Sequence, residues 1–367
     1  MNIGIVSLYN GKSGKKGFYN SQEIGVARAF SKLGYSVIVF FVMTDKNVEE
    51  EIIDCNIKIV NVPGFMIGCH SKFNWNILLK YKIDVVHSCN DNQIFVPSLF
   101  HFCDKHNIRI YSYLGVIQSD TNSVLKKKIM SLLCERNIQI YKKHKCFVKT
   151  NTIKKELEKL DVANITVAPV GLDTSIIPTI SETKEKLITE LQLPENKTIL
   201  LFVGRLDDYK KPLDAIELIN NLSDKYYLVM IGDGSLKNKI AEYIEKYHIQ
   251  AKIKRIDKIE NKEIHKYYKI SDYFLNFNNK EIFGMSILEA MYQGCNVIAI
   301  DAPGPRDIIK NNQNGFLVDD INQMKQIIES NNKIDSKEAI KSINNCYSWD
   351  NTVKIFDEWI KNEEEEQ

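Results

Sequence analysis

Features typical of secreted and membrane-spanning proteins are missing from this 367-residue sequence. Its longest apolar run, YSVIVFFVM at 35–43, has nine residues, whereas about 20 are needed to cross a bilayer. The opening stretch, MNIGIVSLYNG, has no basic region and no long apolar segment, so it does not resemble a signal peptide. We therefore expect a cytoplasmic protein.

Cysteine pairs of the kind that bind metals or exchange electrons are also missing. The eight cysteines are never closer than twelve residues, which excludes CxxC and zinc-ribbon spacings. Most lie at or beside apolar, strand-like segments such as KCFVKT and GCNVIAI. We expect them to be reduced and packed in the core.

A strong net charge is missing too, but the small total hides an asymmetry. The formal net charge is +2, yet residues 1–150 hold 20 Lys and Arg against 11 Asp and Glu, a balance of +9. The rest of the chain holds 29 against 36, a balance of −7. The basic residues are not interleaved with exposed aromatic residues and no nucleic-acid reader motif occurs, so we expect no nucleic-acid partner.

What the sequence does contain is a repeated alternation of short apolar strands and amphipathic helices. Predicted strands lie at 3–7, 37–42, 85–87, 108–113, 146–149 and 165–169, and then at 198–203, 227–231, 252–256, 273–277 and 297–300. Periodic segments such as SQEIGVARAFSKLG separate them. This pattern predicts the α/β class, with doubly wound parallel sheets covered by helices on both faces.

The chain is long enough for two such domains. The segment 171–196 contains Pro178 and Pro194 and has mixed polarity, so we place the boundary there and expect domains at 1–172 and 173–346. Two doubly wound domains that face each other leave a cleft lined by the carboxyl-end loops of both sheets.

Polar residues gather where strands of the second half end. Strand 198–203 is followed by Gly204, Arg205 and, after a short loop, Lys210. A glycine there permits close backbone approach to a ligand, and two cations beside a helix N-terminus suit a phosphate-like anion. The alternative is two surface cations beside a turn.

The next strand ends in a glycine-rich turn, Gly232-Asp233-Gly234-Ser235. The glycines indicate another close backbone approach at the sheet edge, with Ser235 as the N-cap of the following helix. A purely structural turn is the alternative.

The stretch EIFGMSILEAMYQG at 281–294 places Glu281 and Glu289 eight residues apart around a Phe-Gly pair. The amides of Phe283, Gly284 and Met285 lie at the start of a helix and are donors for an anion. Glu289 offers two oxygens to a vicinal diol, the alternative being a solvated helix carboxylate. An anion and a diol together describe a nucleotide with a diphosphate and a ribose.

In order and spacing, these motifs resemble those of the retaining glycosyltransferases of family 4, which have the GT-B fold. The matching motifs are G-R-L-x-x-x-K at 204–210, the GDG turn at 232–234, E-x7-E at 281–289, PGPRDII at 303–309 and NGFLV at 314–318. The resemblance implies two facing Rossmann-like domains.

The first half carries the resemblance further. GFYNSQEIGVARAFSKLGYSV is similar to the opening loop and helix of members that build bacterial surface polysaccharides, and APVGLD at 168–173 to the family's interdomain segment. CYSWDNTVKIFDEWI at 346–360 resembles its closing helix, which crosses back to the first domain. We therefore assign 347–367 to the first domain.

The resemblance implies a role for each matching residue. Arg205 and Lys210 would neutralise the diphosphate of a UDP- or GDP-linked sugar, and Glu289 would hold the ribose hydroxyls. Glu281 and the amides of 283–285 would contact the transferred sugar and the nearer phosphate. Gly204 and Gly232 would line the donor site. Transfer with retention, and without a metal ion or other cofactor, is also implied.

The sequence departs from the family pattern at several positions. The first-loop Gly-Gly is Gly17-Phe18 here, which leaves Gly17 as the single candidate contact in that loop. PGPRDII has Pro303 and Asp307 where glycine and glutamate are common. RID at 255–257 replaces a Phe-x-Gly that often lies near the base, so the base stays open between uracil and guanine.

Acceptor residues are expected in the first domain. His87 ends the predicted strand DVVH and Tyr113 ends another, so both are candidates to line the cleft. The alternative for His87 is a hydrogen-bonded structural histidine.

The segment 122–145 has apolar residues at roughly helical spacing beside seven Lys and Arg. Such a basic amphipathic helix can rest on an anionic membrane surface, which would place the protein peripherally on the inner face of the cell membrane and favour a lipid-linked saccharide acceptor. A core-packed helix with a solvated basic face is the alternative.

Two other functions suit the same architecture. A sugar-nucleotide epimerase would need an acid/base pair near the sugar, for which Glu281 and His87 are the available residues. A non-catalytic partner subunit of a glycosyltransferase would tend to lose the cation pair or the glutamates, all of which are present here. We therefore favour an enzyme that moves a sugar from a nucleotide-sugar to a glycan or lipid-linked saccharide in cell-surface polysaccharide synthesis.

Overall fold

The computed structural model describes residues 1–9, 21–43, 47–117 and 124–365. The chain divides into two compact units, Met1–Gly171 with Ser348–Gln367, and Leu172–Tyr347. None of the helices in the described ranges is long and apolar enough to span a bilayer.

The first unit is built on one mixed sheet. Its strands are β1 (Asn2–Ser7), β2 (Ser36–Met43), β3 (Glu49–Asp54), β4 (Ile57–Ile67), β5 (His70–Phe73), β6 (Val85–Cys89), β7 (Arg109–Leu114), β8 (Cys146–Val148) and β9 (Ile165–Val167). Its helices are α1 (Gln22–Lys32), α2 (Asn76–Lys80), α3 (Val96–Lys105), α4 (Val124–Tyr141), α5 (Asn151–Glu158) and, from the end of the chain, α14 (Trp349–Glu365).

The strands follow the order β3-β4-β2-β1-β6-β7-β8-β9, with β5 paired to β4. Every neighbouring pair along the path β4-β2-β1-β6-β7-β8-β9 is parallel. The strand order reverses between β1 and β6. β3 and β5 pair with β4 in the antiparallel sense. Neither is predicted from the sequence, because EEEIID and HSKF are polar and lack the apolar run of a buried strand.

α14 returns to the first unit and closes one face of its sheet. Phe356 stacks on Phe30 of α1, with ring centroids 6.2 Å apart. A β-carbon on Gly25 would lie 2.2 Å from Trp349 Nε1. The indole ring of Trp349 can therefore pack against α1 only because residue 25 is glycine. The terminal helix therefore belongs to the hydrophobic core of the first unit.

The second unit has an all-parallel sheet. Its strands are β10 (Thr198–Val203), β11 (Tyr226–Ile231), β12 (Ile253–Ile256), β13 (Tyr273–Asn276), β14 (Asn296–Ile300) and β15 (Phe316–Val318). Its helices are α6 (Lys184–Glu190), α7 (Pro212–Asn220), α8 (Lys237–Lys246), α9 (Asn261–Ile270), α10 (Met285–Tyr292), α11 (Pro303–Ile308), α12 (Ile321–Glu329) and α13 (Ser336–Cys346). The observed bounds of β10 to β14 agree with the predicted ones to within one residue.

The strand order of the second unit is β12-β11-β10-β13-β14-β15. It reverses between β10 and β13, and ligands bind open α/β sheets at the carboxyl edge of such a reversal. The interior strands are continuous apolar runs such as TILLFV in β10, as expected for strands buried on both faces. Helix starts are fixed by side-chain caps, for example Asp320, which accepts from the amide of Gln323 at 2.9 Å.

Candidate functional site

The loops that follow β10 and β13 meet at the strand-order reversal of the second unit. The loop after β10 contains Gly204, Arg205 and Lys210, and the loop after β13 contains Glu281. The structure therefore brings the residues of two separate sequence motifs to one edge of one sheet.

The glycine-rich turn after β11 packs directly on the loop after β10. Gly232 has φ +152°, and a β-carbon there would lie 1.8 Å from the carbonyl oxygen of Gly204. At Gly204 itself an added β-carbon meets no described atom closer than 3.9 Å. Backbone packing therefore requires glycine at position 232, which supports the interpretation of this turn as structural. At position 204, by contrast, there is open space at the sheet edge.

Arg205 is a largely exposed cation tied to its own loop. Its guanidinium lies 2.6 Å from Asp207 Oδ2, and its side chain is 61% exposed. Ser235 donates to Asp207 Oδ1 from its amide at 2.9 Å and from its hydroxyl at 2.8 Å. These bonds from Ser235, together with the nearby Arg205, lower the pKa of Asp207. Arg205 is held by a carboxylate but faces solvent.

The prediction that Ser235 caps the next helix is wrong. α8 begins at Lys237 and its N-cap position is Leu236. Ser235 instead serves the loop after β10 through Asp207. The sequence alone indicates a solvated turn or helix-start residue at Asp207, because its partner Ser235 lies 28 residues further along the chain.

Lys210 and Glu281 form an ion pair between the two loops. Their side chains are 21% and 12% exposed, so the pair is mostly shielded from solvent. Asn278, itself buried, donates from Nδ2 to the same carboxylate oxygen at 3.2 Å. Lys210 lies in a 3-10 turn, Asp208–Lys210, and the next residue, Lys211, has φ +51°. The turn delivers the ammonium group to the sheet edge.

The start of α10 presents free backbone donors beside Glu281. Gly284 precedes the helix with φ +100°, a conformation that favours glycine. Within the described ranges the amides of Phe283, Gly284 and Met285 donate no hydrogen bond. The side chain of Phe283 is buried, with its ring centroid 6.4 Å from that of Tyr347.

Helix α11 supports this loop from behind. The Gly304 amide donates to the carbonyl oxygen of Glu281 at 2.8 Å. A β-carbon on Gly304 would lie 2.4 Å from the carbonyl oxygen of Phe283. The sequence marks this glycine through the PGPRDII resemblance alone, since nothing local shows which loop it contacts.

Glu289 lies one turn inside α10 and accepts a hydrogen bond from Tyr268 Oη to Oε2 at 2.9 Å. The carboxylate is half-buried rather than fully solvated. Tyr268 belongs to α9, 21 residues earlier, and is not predicted from the sequence.

His87 and Tyr113 lie in the core of the first unit, and both side chains are fully buried. His87 Nδ1 lies 2.8 Å from Tyr111 Oη, and burial lowers the pKa of His87 to about 3. Burial likewise raises the pKa of Tyr113 well above its usual value. β6 runs two residues past His87 to Cys89, whereas β7 ends at Leu114, one residue after Tyr113. His87 is the structural histidine of the alternative interpretation.

The remaining predicted positions are only partly within the described residues. Gly17 lies outside them, as do residues 122 and 123 of the basic segment. In the second half of α4, Ile138 and Tyr141 are buried in the core while Leu132 is 64% exposed. The described part of this helix therefore packs partly as a core helix.

A cavity of about 710 Å³ lies beside α7 and α12 in the second unit and reaches Lys211 and Asn279 in the loops after β10 and β13. Its lining includes the carboxylates of Asp214, Glu217, Asp301, Asp319 and Asp320 against the ammonium groups of Lys211 and Lys325. Burial raises the pKa of Asp214. This negative lining opposes a diphosphate, so the cation-bearing edge at β10 and β13 is the better candidate. Among the described residues no group of three or more His, Cys, Asp or Glu side chains is placed to hold a metal ion.

Comparison with known proteins finds relatives for the second unit. Residues 183–348 match the family described as Glycosyl transferases group 1. The UDP-Gal:alpha-D-GlcNAc-diphosphoundecaprenol alpha-1,3-galactosyltransferase of Escherichia coli is 32% identical over 172 residues, 44% of this chain and 42% of that protein. The D-inositol 3-phosphate glycosyltransferase of Xylanimonas cellulosilytica is 26% identical over 167 residues, 43% of this chain and 40% of that protein. The chain thus spans about two fifths of the length of these relatives.

Similarity to solved structures extends over the whole chain. Anabaena Alr3699/HepE, solved in complex with UDP and glucose, superposes with a TM-score of 0.72 at 14% identity, covering 99% of this chain and 100% of that one. The fold is GT-B, and the predicted resemblance to GT-B glycosyltransferases is confirmed.

Proposed function

Since residues 183–348 match the family described as Glycosyl transferases group 1, we propose that this protein transfers a sugar from a nucleotide-sugar to a saccharide acceptor, with retention of anomeric configuration and without a metal ion. The donor is a UDP- or GDP-linked sugar. The acceptor is a glycan or a lipid-linked saccharide.

The observation that carries this proposal is the pair of Lys210 and Glu281 at one sheet edge, with Arg205 in the same loop as Lys210 and with amides that donate no described hydrogen bond at the start of α10. Two cations and several N–H donors suit a diphosphate. Glu289, one turn further along the helix, suits the ribose hydroxyls.

In this proposal the bond between the anomeric carbon and the donor phosphate oxygen breaks as the acceptor hydroxyl attacks from the same face. The proton of that hydroxyl passes to the departing phosphate oxygen, so atoms and charge balance. Negative charge grows on the leaving diphosphate, where Arg205, Lys210 and the amides of α10 stabilise it. Donors fixed in place before the reaction are worth several kcal/mol each, about 10²–10³ in rate.

The names of the similar proteins support the donor and acceptor classes. HepE is solved with UDP and glucose, and the name of the Escherichia coli relative gives a UDP-galactose donor and a diphosphoundecaprenol acceptor. We extend these chemical classes, a nucleoside diphosphate sugar and a lipid-linked saccharide, to this chain.

The first experiment is a thermal-shift screen of the wild type and Glu289→Ala against UDP, GDP, ADP and their common sugars, with and without EDTA. Ligand at 100 times its dissociation constant stabilises the folded state by about 2.7 kcal/mol. We expect a shift with one nucleotide series that is insensitive to EDTA and weaker in Glu289→Ala. NMR of the product with a matching acceptor then reports the anomeric configuration. Absence of any shift would instead favour the non-catalytic partner subunit.

Peripheral membrane contact through 122–145 belongs to the same proposal. The segment is basic, and Leu132 in its middle is exposed. Co-sedimentation with anionic liposomes at low salt tests it, with neutral liposomes as control. Binding to the anionic vesicles alone is expected, and recovery of the protein in the supernatant with both would contradict membrane contact.

A further inference from the structure

Glu289 is held by a side chain from another helix. Tyr268 on α9 is fully buried, and its Oη lies 2.9 Å from Glu289 Oε2. Because Glu289 is a carboxylate, the phenol donates and the carboxylate accepts. The bond joins α9 to α10, the helix whose first turn borders the site.

Tyr268 itself has little freedom to move. Its ring lies 5.7 Å from that of Phe274 on β13 and 5.8 Å from that of His265 on α9. β13 also leads into the loop that contains Glu281. The strand that packs against the ring of Tyr268 therefore also carries part of the proposed diphosphate site. A donor fixed in this way limits the rotamers of the Glu289 side chain.

Recognition of a vicinal diol depends on this kind of restraint. Each ribose hydroxyl donates to a carboxylate oxygen, and both bonds are good only when the carboxylate plane has one orientation. A free glutamate in a helix samples several rotamers, and binding would have to order it at an entropic cost. A bond from Tyr268 to one oxygen removes part of that cost.

We infer that Tyr268 is a positioning residue for ribose recognition: its phenol hydrogen bond orients Glu289 so that the carboxylate selects donors with a 2′,3′-diol. This inference rests on the proposed function. It deepens that function by assigning the preference for ribonucleotides over deoxyribonucleotides to the α9–α10 contact.

The test is calorimetric titration of Tyr268→Phe with UDP and GDP and with their 2′,3′-dideoxy analogues. Phenylalanine keeps the buried ring and removes only the donor. We expect the affinity for the ribonucleotide that binds to fall about 5- to 10-fold, less than the full worth of a hydrogen bond to a charged group, because the bond acts on the ribose only through Glu289. Affinity for the dideoxy analogue should change less than about twofold, because it lacks the hydroxyls through which Glu289 acts.

Tyr273→Phe is the matched control. Tyr273 is also a buried tyrosine of the second unit, and its Oη donates to the carbonyl oxygen of Asn332 at 2.8 Å. Both variants lose one phenol hydrogen bond, so similar falls in unfolding temperature are expected. Only Tyr268→Phe should reduce the ratio of ribonucleotide to dideoxynucleotide affinity.

A double-mutant cycle with Glu289→Gln completes the test. If Tyr268 acts through Glu289, Tyr268→Phe causes little further loss of ribonucleotide affinity in a protein that already carries Glu289→Gln. An unchanged affinity ratio in Tyr268→Phe, or an equal loss for both nucleotides, would overturn the inference while leaving nucleotide binding intact. A wild type that binds neither nucleotide would overturn the proposed function as well, so the two failures are distinguishable.

Discussion

Lys210 and Glu281 are 71 residues apart in the sequence and form an ion pair at the carboxyl edge of the second sheet. Asn278 donates to the same carboxylate, so the negative group is held by a cation and a neutral donor together. The positive charge of Lys210 is thus neutralised within the protein before any diphosphate arrives. A phosphate that binds Lys210 must compete with Glu281.

This competition predicts opposite effects of Glu281→Gln on binding and on turnover. Removing the carboxylate charge frees Lys210, so UDP or GDP should bind tighter, by about 3- to 10-fold for a mostly shielded pair. Transfer should become slower, because Glu281 is proposed to contact the transferred sugar. Titration calorimetry measures the first effect and initial rates of nucleoside diphosphate release the second.

Asp207→Asn is the comparison for Glu281→Gln. This substitution breaks the ion pair between Asp207 and Arg205, whose side chain is 61% exposed. Ion pairs of exposed side chains contribute little free energy. Nucleotide affinity should change less than about twofold. Weaker nucleotide binding by Glu281→Gln would contradict the competition and show that the carboxylate assists the diphosphate.

Removing either cation should slow transfer. Arg205→Ala and Lys210→Ala each lose a fixed positive charge beside the leaving diphosphate, and we expect kcat to fall on the order of 10²–10³. Steady-state kinetics at saturating donor measure this fall. Lys262→Ala, which removes an exposed lysine paired with Glu260 in the same unit, should retain wild-type kcat. Equal activity in all three variants would place the leaving group elsewhere.

Two glycines of the same site should respond differently to alanine. Gly232→Ala puts a β-carbon 1.8 Å from the Gly204 carbonyl oxygen at φ +152°, and we expect a loss of about 1–3 kcal/mol in the free energy of unfolding. Gly204→Ala has 3.9 Å of space and should keep wild-type stability. Urea unfolding of both proteins tests this. A stable Gly232→Ala would mean that the two loops separate easily.

Acid should destabilise the first unit through His87. Burial lowers the pKa of His87 to about 3 in the folded state, whereas an unfolded histidine titrates near 6.5. Between these values the unfolded chain binds a proton that the folded chain does not, so stability falls as the pH falls from about 6.5 towards 3. The loss from pH 7 to pH 5 is about 2 kcal/mol for one such histidine.

The corresponding measurement is urea unfolding of the wild type and His87→Leu at pH 7 and pH 5. The difference between the two pH values should be smaller in His87→Leu by about one proton's contribution. His101→Gln, which changes an exposed histidine, should behave like the wild type. An unaltered pH dependence in His87→Leu would assign the acid sensitivity to another group, such as the buried His265, whose pKa burial lowers to about 4.

The predicted acceptor candidates show where strand-end reasoning fails. DVVH was expected to end at His87, yet β6 continues to Cys89 and pairs His87 with Ile5 and Tyr111. An extension of two residues moves a side chain from the edge of a sheet into its interior. Strand ends are set by pairing with neighbours, which a single segment does not reveal.

By itself, the sequence determined the class of fold and the location of the motifs in it. Buried parallel strands need continuous apolar runs and tight turns need glycine. The local sequence is therefore enough to predict β10 to β14 and the turns at Gly232 and Gly284. The tertiary structure alone decided which groups meet. Asp207 with Ser235, Lys210 with Glu281 and Tyr268 with Glu289 come from elements at least 21 residues apart. Such partners leave no local signal, because the packing of helices and loops on the sheet brings them within hydrogen-bonding distance.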